Sequence, residues 1–349
     1  MEKRKLGTTD LEVTIACLGT MTFGNQNNEK EAHEQLDRAI EAGINFIDTA
    51  EMYAVPPSPE SYGTTETMIG NWLASRPGMR EKIILASKVA GRGLRWVRDG
   101  NAIIDRKNIL AAIDDSLKRL QTNYLDLYQL HWPNRPFYHF GQYWRFAPKN
   151  RDVSKFTDNL HEVLETLGEL IRAGKIRHAG LSNESAWGTM KYLELSEKFK
   201  LPRMVSIQNE YSLLYRLFEP DLTEIATYEN ISLLAYSPLA TGLLTGKYRN
   251  GKIPEGSRWK IQSARHNQRN TAQAHAAVEA YNKLAKEHGI SLSHMALAFA
   301  HQQSFMTSVI IGATTMDQLN SDLKAFEMSL SSDLLKEIEI IRRDFPIPY

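Results

Sequence analysis

Four polar side chains interrupt runs that are otherwise apolar. Asp48 follows Asn45-Phe46-Ile47, Lys88 follows Ile83-Ile84-Leu85-Ala86-Ser87, His131 ends a run starting at Leu125, and Tyr53 lies five residues beyond Asp48. The chemistry that these types fit is proton donation by a phenol. Tyrosine ionises near pH ~10 and donates poorly at neutral pH, whereas an ammonium beside it favours the phenolate and lowers that value. Lys88 would be that ammonium, Asp48 would keep Lys88 charged, and His131 would orient the oxygen that receives the proton or share the proton path. A lysine aimed into a closed site needs a counter-charge or must lose its proton, which makes Asp48 its natural partner. Taken singly, each residue has an ordinary structural explanation: a cap, a snorkelling strand end, a satisfied core histidine, a packed aromatic. Only their convergence carries the chemical reading.

Convergence requires a fold that gathers separate strand ends. Short β-branched, apolar runs at residues 13–20, 45–50, 82–89, 124–131, 176–183, 204–211, 231–238 and 307–314 alternate with segments of helical period. The helical segments are 31–42, 64–75, 107–120, 159–173, 187–200, 219–230, 274–288 and 316–326. Eight consecutive strand-helix units predict a parallel sheet with right-handed crossovers, and eight strands close it into a (β/α)8 barrel; a doubly wound sheet is the alternative. Residues 4–6 and 11–13, around Gly7-Thr8-Thr9-Asp10, predict a hairpin that plugs the bottom of the barrel, and 332–344 a final outer helix. The whole chain, 1–349, reads as one domain. Three long loops, 90–105, 132–158 and 239–273, all follow the C-terminal ends of strands, where a barrel of this kind binds and reacts.

Composition narrows the partners. The 349 residues carry 42 Lys+Arg against 41 Asp+Glu, a formal charge of +1, so the basic excess that nucleic acid or an anionic membrane requires is missing. The charge-free stretch 288–316 holds His294, His301, Gln302 and Gln303 and is no spanning helix. One cysteine, Cys17, and a Met-Glu-Lys-Arg start without an apolar leader make the cytoplasm the expected compartment. His33-Glu34-Gln35-Leu36-Asp37 ends in Asp where a zinc-protease helix needs His, and no cysteine cluster exists, so no metal is called for. Gly91-Arg92-Gly93 lacks the third glycine of a dinucleotide fingerprint, and Gly180-Leu181-Ser182-Asn183-Glu184 lacks the closing glycine of a nucleophile elbow.

Read in order, the strand-end motifs resemble those of the aldo-keto reductase family over essentially the whole chain. They are Leu18-Gly19-Thr20-Met21, residues 46–53, Ala86-Ser87-Lys88-Val89, Leu130-His131-Trp132-Pro133, Gly180-Leu181-Ser182-Asn183, Ile207-Gln208-Asn209 and Tyr236-Ser237-Pro238-Leu239. The resemblance implies reduction of small aldehydes or ketones with NADPH, reversible on alcohols, with Tyr53 as acid and Asp48, Lys88 and His131 completing a tetrad. It also implies where the cofactor lies. Thr20, Met21 and Asp48 would border the nicotinamide ribose, Ser182, Asn183 and Gln208 would hold the carboxamide, and Tyr236 would stack on the ring. Ser237, Pro238, Leu239 and Gly242 would run beside the pyrophosphate.

For the adenosine 2′-phosphate the candidates are Lys247, Arg258 and the end of the last strand. Residues 256–278 contain Arg258, Lys260, Arg265 and Arg269 and no acid, a possible clamp. Gly312 is followed by Thr314, and Thr315-x-x-Gln318 predicts a capping box whose helix N-terminus attracts phosphate. The pattern is similar to a branch of the family in which Ser or Thr, Gln and a late Asn hold the adenosine, here Thr314, Gln318 and, in place of the asparagine, Asp322. Aspartate accepts from an adenine amino group but repels a phosphate, so NADP rests on Lys247 and Arg258, with NAD the less favoured cofactor.

Two other functions fit parts of the pattern: a Schiff-base lyase with Lys88 as nucleophile, and an NADPH-binding redox-sensing module with slow turnover. The loop 132–158 is rich in aromatics and reads equally as a pocket wall, a packed surface loop or a subunit contact, and Arg135 and Arg145 within it are weak candidates for meeting an anionic substrate.

Overall fold

An antiparallel hairpin, β1 (Lys3–Lys5) and β2 (Glu12–Thr14), precedes eight parallel strands that close on themselves. The computed structural model describes residues 1–149, 152–263 and 268–349. The barrel strands are β3 (Ala16–Gly19), β4 (Phe46–Asp48), β5 (Ile84–Val89), β6 (Leu125–Leu130), β7 (Ile176–Ser182), β8 (Met204–Glu210), β9 (Ser232–Tyr236) and β10 (Met306–Ile311), with β10 pairing to both β9 and β3. Around them run α1 (Glu29–Glu41), α2 (Thr64–Ala74), α3 (Arg106–Leu120), α4 (Val153–Arg172), α5 (Ala186–Phe199), α6 (Leu222–Tyr228), the short α7 (Arg258–Ile261), α8 (Ala272–Glu287), α9 (Leu292–His301), α10 (Met316–Lys324) and α11 (Ser332–Asp344). This is the expected (β/α)8 barrel. Side-chain oxygens start many of the helices: Asn28, Asp105, Ser185 and Ser331 each accept an N–H from the first turn.

Strand periodicity decides which residues can react. Phe46, Ile84, Ala86 and Leu127 form an inner layer with Leu6, Leu11 and Val13 of the hairpin, while Ile47, Leu85 and Tyr128 pack toward the helices. Side chains two apart share a face of a strand, so Asp48, Lys88, Gln129 and His131 belong to the inner face, one or two layers above this floor. The register confirms the layer, pairing Asp48 with Ala86 and Lys88 with Gln129. The hairpin closes the floor, as expected.

Several boundaries differ from the sequence reading. Residues 13–20 are two strands, because the chain crosses from hairpin to barrel at Ile15, where Thr14 N–H donates to Asn45 Oδ1 (2.9 Å). Helix α4 starts at Val153, six residues earlier than periodicity suggested, capped by Asp152, whose carboxylate accepts from Lys155 N–H (3.3 Å). Helix α6 is shorter than the segment 219–230. No helical period in the sequence marks α9. Eight of its ten residues are buried, and a helix covered on nearly every side has no polar face to set a period. Among the described residues no helix is long and apolar enough to cross a membrane.

Candidate active site

At the C-terminal mouth a cavity of about 1460 Å³ opens between the three long loops. Lys88 lies wholly buried behind its wall. The ammonium donates to Asp48 Oδ2 at 2.6 Å, to the Thr49 carbonyl at 2.8 Å and to the Tyr53 hydroxyl at 3.4 Å. Asp48 is 2% exposed, and its other oxygen accepts from Gln208 Nε2 (2.8 Å) and Gln129 Nε2 (3.0 Å). The His131 ring meets the Tyr53 ring edge-on, with centroids 5.7 Å apart. Met52, Val55, Ala90 and Trp132 form an apolar cluster against which Tyr53 packs.

These surroundings set the proton affinities. Burial pulls the Lys88 ammonium down, but Asp48 and then Tyr53 oppose it and leave Lys88 above its ordinary value, hence charged. For Tyr53 the neighbouring Lys88 ammonium alone predicts a lowering. Burial instead pushes the phenol above its ordinary value; Lys88 pulls it down and Asp48 adds to the rise. The ammonium acts with the expected sign, and the apolar wall outweighs it. The phenol is thus protonated at neutral pH, the form an acid must have.

Thr20, Met21, Ser182, Asn183, Gln208, Tyr236, Ser237, Pro238, Leu239, Gly242, Lys247, Arg258, Gly312, Thr314, Gln318 and Asp322 all line the same cavity as Asp48, Tyr53 and His131. The amides are oriented by each other: Asn183 donates to the His131 carbonyl (2.9 Å) and accepts from the Tyr236 hydroxyl (2.7 Å), while Ser182 Oγ donates to the Gln208 carbonyl (3.0 Å). Beyond β9 the backbone is left-handed at Ser237, Ala240, Thr241 and Gly242. Burial holds Lys247 below its ordinary value, with Asp322 opposing and Arg258 adding to the fall. Asp322 is 7% exposed.

Three parts of the phosphate-clamp expectation change. Arg269 grips Glu210 with both terminal nitrogens (2.6 and 2.8 Å) and bonds the Tyr349 hydroxyl (2.9 Å), so its charge is consumed by the fold. Lys260 pairs with Glu255 (2.8 Å), and Arg265 lies outside the described residues. Only half of the capping box forms: Thr315 Oγ1 accepts from Gln318 N–H (3.2 Å), but the Gln318 side chain accepts from Thr314 N–H (3.0 Å) and Oγ1 (3.1 Å) instead of reaching Thr315. In the aromatic loop, Trp132, Phe137, Phe140, Tyr143 and Trp144 line the cavity, and Arg135 is taken up by Glu184 and Ser185. Arg145 is exposed.

A sequence profile of the Aldo/keto reductase family matches residues 16–343. The chain belongs to the aldo/keto reductase family. It is similar to protein tas of Escherichia coli K12, 49% identical over 352 residues that cover 100% of this chain and 99% of that protein. It is 34% identical to the uncharacterized oxidoreductase YrpG of Bacillus subtilis, over 100% of this chain and 97% of that one. It is 30% identical to the NADH-specific methylglyoxal reductase of E. coli, over 95% of each. As a member of this family the chain is an oxidoreductase. Family motifs did not single out Gln129, Glu51 or Arg98, each of which bonds a residue of the tetrad or its supporting loops. For Gln129 the available signal was a polar residue on the inner parity of an apolar strand.

Proposed function

We propose that this aldo/keto reductase reduces aldehydes or ketones with NADPH in the cytoplasm, with Tyr53 as the general acid. The observation that carries the reading is the position of Lys88 Nζ, 2.6 Å from Asp48 and 3.4 Å from the Tyr53 hydroxyl, behind a cavity that Lys247 and Arg258 also line. A dinucleotide fits this donor set. Ser182, Asn183 and Gln208 would hold the carboxamide, and Tyr236 would cover the ring. The left-handed turns at residues 240–242 favour converging backbone N–H groups beside a pyrophosphate, and Lys247 with Arg258 would meet a 2′-phosphate. When bound, the reduced nicotinamide supplies a hydride for the carbonyl carbon. Tyr53 gives its proton to the carbonyl oxygen, Lys88 stabilises the phenolate left behind, and Asp48 keeps Lys88 charged throughout. His131, edge-on to Tyr53, fixes the direction from which the oxygen approaches.

Asp322 favours a second reading, in which NADH is the donor, because a buried carboxylate in the same wall opposes a 2′-phosphate. A relative with an NADH-specific name agrees with it. Fluorescence titration with NADPH and NADH, followed by addition of aromatic and short-chain aldehydes, tests both. Oxidation of bound NADPH on aldehyde addition supports the first reading, preference for NADH the second, and binding without oxidation a sensing module.

A further inference from the structure

Glu51 is completely buried and has no part in the reaction just described. It stands two residues before Tyr53, where the chain leaves β4. Its backbone N–H donates to the Lys88 carbonyl (3.2 Å), continuing the β4–β5 pairing beyond the last strand residue. The side chain then takes over. Oε1 accepts from the backbone N–H of Ala90 (2.5 Å) and from Arg98 Nη2 (2.9 Å), and Oε2 accepts from Arg98 Nη1 (2.7 Å) and the Tyr62 hydroxyl (2.6 Å). Residue 51 therefore grips the end of β5 on both sides of Val89, directly after Lys88, through the carbonyl of residue 88 and the N–H of residue 90. The 3.4 Å gap between Lys88 Nζ and the Tyr53 hydroxyl separates the two segments that Glu51 joins.

Arg98 comes from the loop between β5 and α3, where its backbone is left-handed (φ 49°, ψ 51°), as is that of Asp99 (φ 55°). Non-glycine residues avoid this region, so the loop is bent against its preference to turn the guanidinium inward. The same loop supplies Arg92, Gly93 and Leu94 to the cavity wall, and the Arg92 carbonyl accepts from the Trp132 indole (3.0 Å).

We propose that Glu51, held by Arg98, is a positioning residue for Tyr53. It sets the distance from phenol to ammonium and makes that distance depend on the docking of loop 90–105. The inference rests on Tyr53 being the acid. The test compares Glu51→Gln, Arg98→Met and Arg98→Lys with Tyr53→Phe, measuring kcat per folded molecule, its pH profile and NADPH affinity by fluorescence. Glu51→Gln and Arg98→Met should lower kcat by about 10- to 100-fold, the usual penalty for an acid displaced by about an ångström, while NADPH affinity stays within about twofold. With Lys88 less close, the phenol loses its largest downward influence, so the alkaline limb of the kcat profile moves to higher pH. Arg98→Lys retains the charge and should recover part of kcat; it also carries the test if Glu51→Gln does not fold. A purely structural role would lower melting temperature and yield while leaving kcat per folded molecule and the alkaline limb in place, and that result overturns the proposal. If Tyr53→Phe keeps near-full kcat, the acid assignment itself falls and this role with it. If Tyr53→Phe is inactive while the Glu51 and Arg98 variants behave like the parent, only the positioning role falls.

Discussion

Lys88 and Asp48 meet at 2.6 Å across neighbouring strands, with side chains 0% and 3% exposed. Water screens neither charge, so each is tolerable only because the other is present.

Removing one partner should therefore cost more than removing both. Lys88→Met leaves a buried carboxylate facing only the Gln129 and Gln208 amides, a destabilisation of about 3–5 kcal/mol in denaturant unfolding. The double change Asp48→Asn with Lys88→Met should recover much of that loss and none of the turnover. Because Lys88 is held above its ordinary value, its contribution is complete through neutral pH and disappears only in strong alkali, as pH rises through the folded-state value.

Tyr53→Phe fills the same space without a proton. Turnover should fall by about 100- to 10,000-fold, the range for losing a general acid, with NADPH affinity within about twofold of the parent. Steady-state kinetics beside fluorescence titration checks both. Near-full activity would remove Tyr53 from the mechanism.

Lys247→Met and Arg258→Met should each weaken NADPH binding by about tenfold or more, the worth of one charge-assisted bond to phosphate, and leave NADH binding nearly unchanged. Equal losses for the two cofactors would mean that these cations meet some other part of the dinucleotide.

Burial pushes Asp322 up to about 7, with Lys247 pulling the other way. An acid held above its unfolded value is easier to keep protonated in the fold. The cost of ionising it is absent below the unfolded value, grows as pH rises and is complete above about 7. Asp322→Asn should thus raise the melting temperature at pH ~8 and not at pH ~4. Over the same range the new carboxylate opposes a 2′-phosphate, so NADPH affinity should fall about tenfold more from pH ~6 to ~8 in the parent than in Asp322→Asn. Isothermal titration at the two pH values, with NADH as control, measures the difference.

Asp48, Lys88 and His131 are legible in the sequence because a charged or polar residue closing an apolar strand violates the burial pattern, and alternation shows which face it takes. Gln129 obeys the same parity, but an uncharged amide inside a strand attracts no notice until its partner on β4 is known. Helix α9 is invisible for the opposite reason: a segment buried on nearly every side has no polar face broad enough to mark a period. Pairings across long separations, such as Arg269 with Glu210 and Arg98 with Glu51, depend on where loops land, which local pattern does not encode. The net direction of the Tyr53 shift also lies beyond sequence, since it sets the pull of Lys88 against burial beside Met52, Val55 and Trp132 and against the carboxylate of Asp48.

Leu6 and Leu11 press the hairpin into the floor of the barrel, and that seal governs traffic. With the far end stoppered, a molecule that reaches Tyr53 arrives and departs through the mouth between the long loops. A dinucleotide and its carbonyl partner would share one doorway, so whichever sits deeper has to come first and leave last.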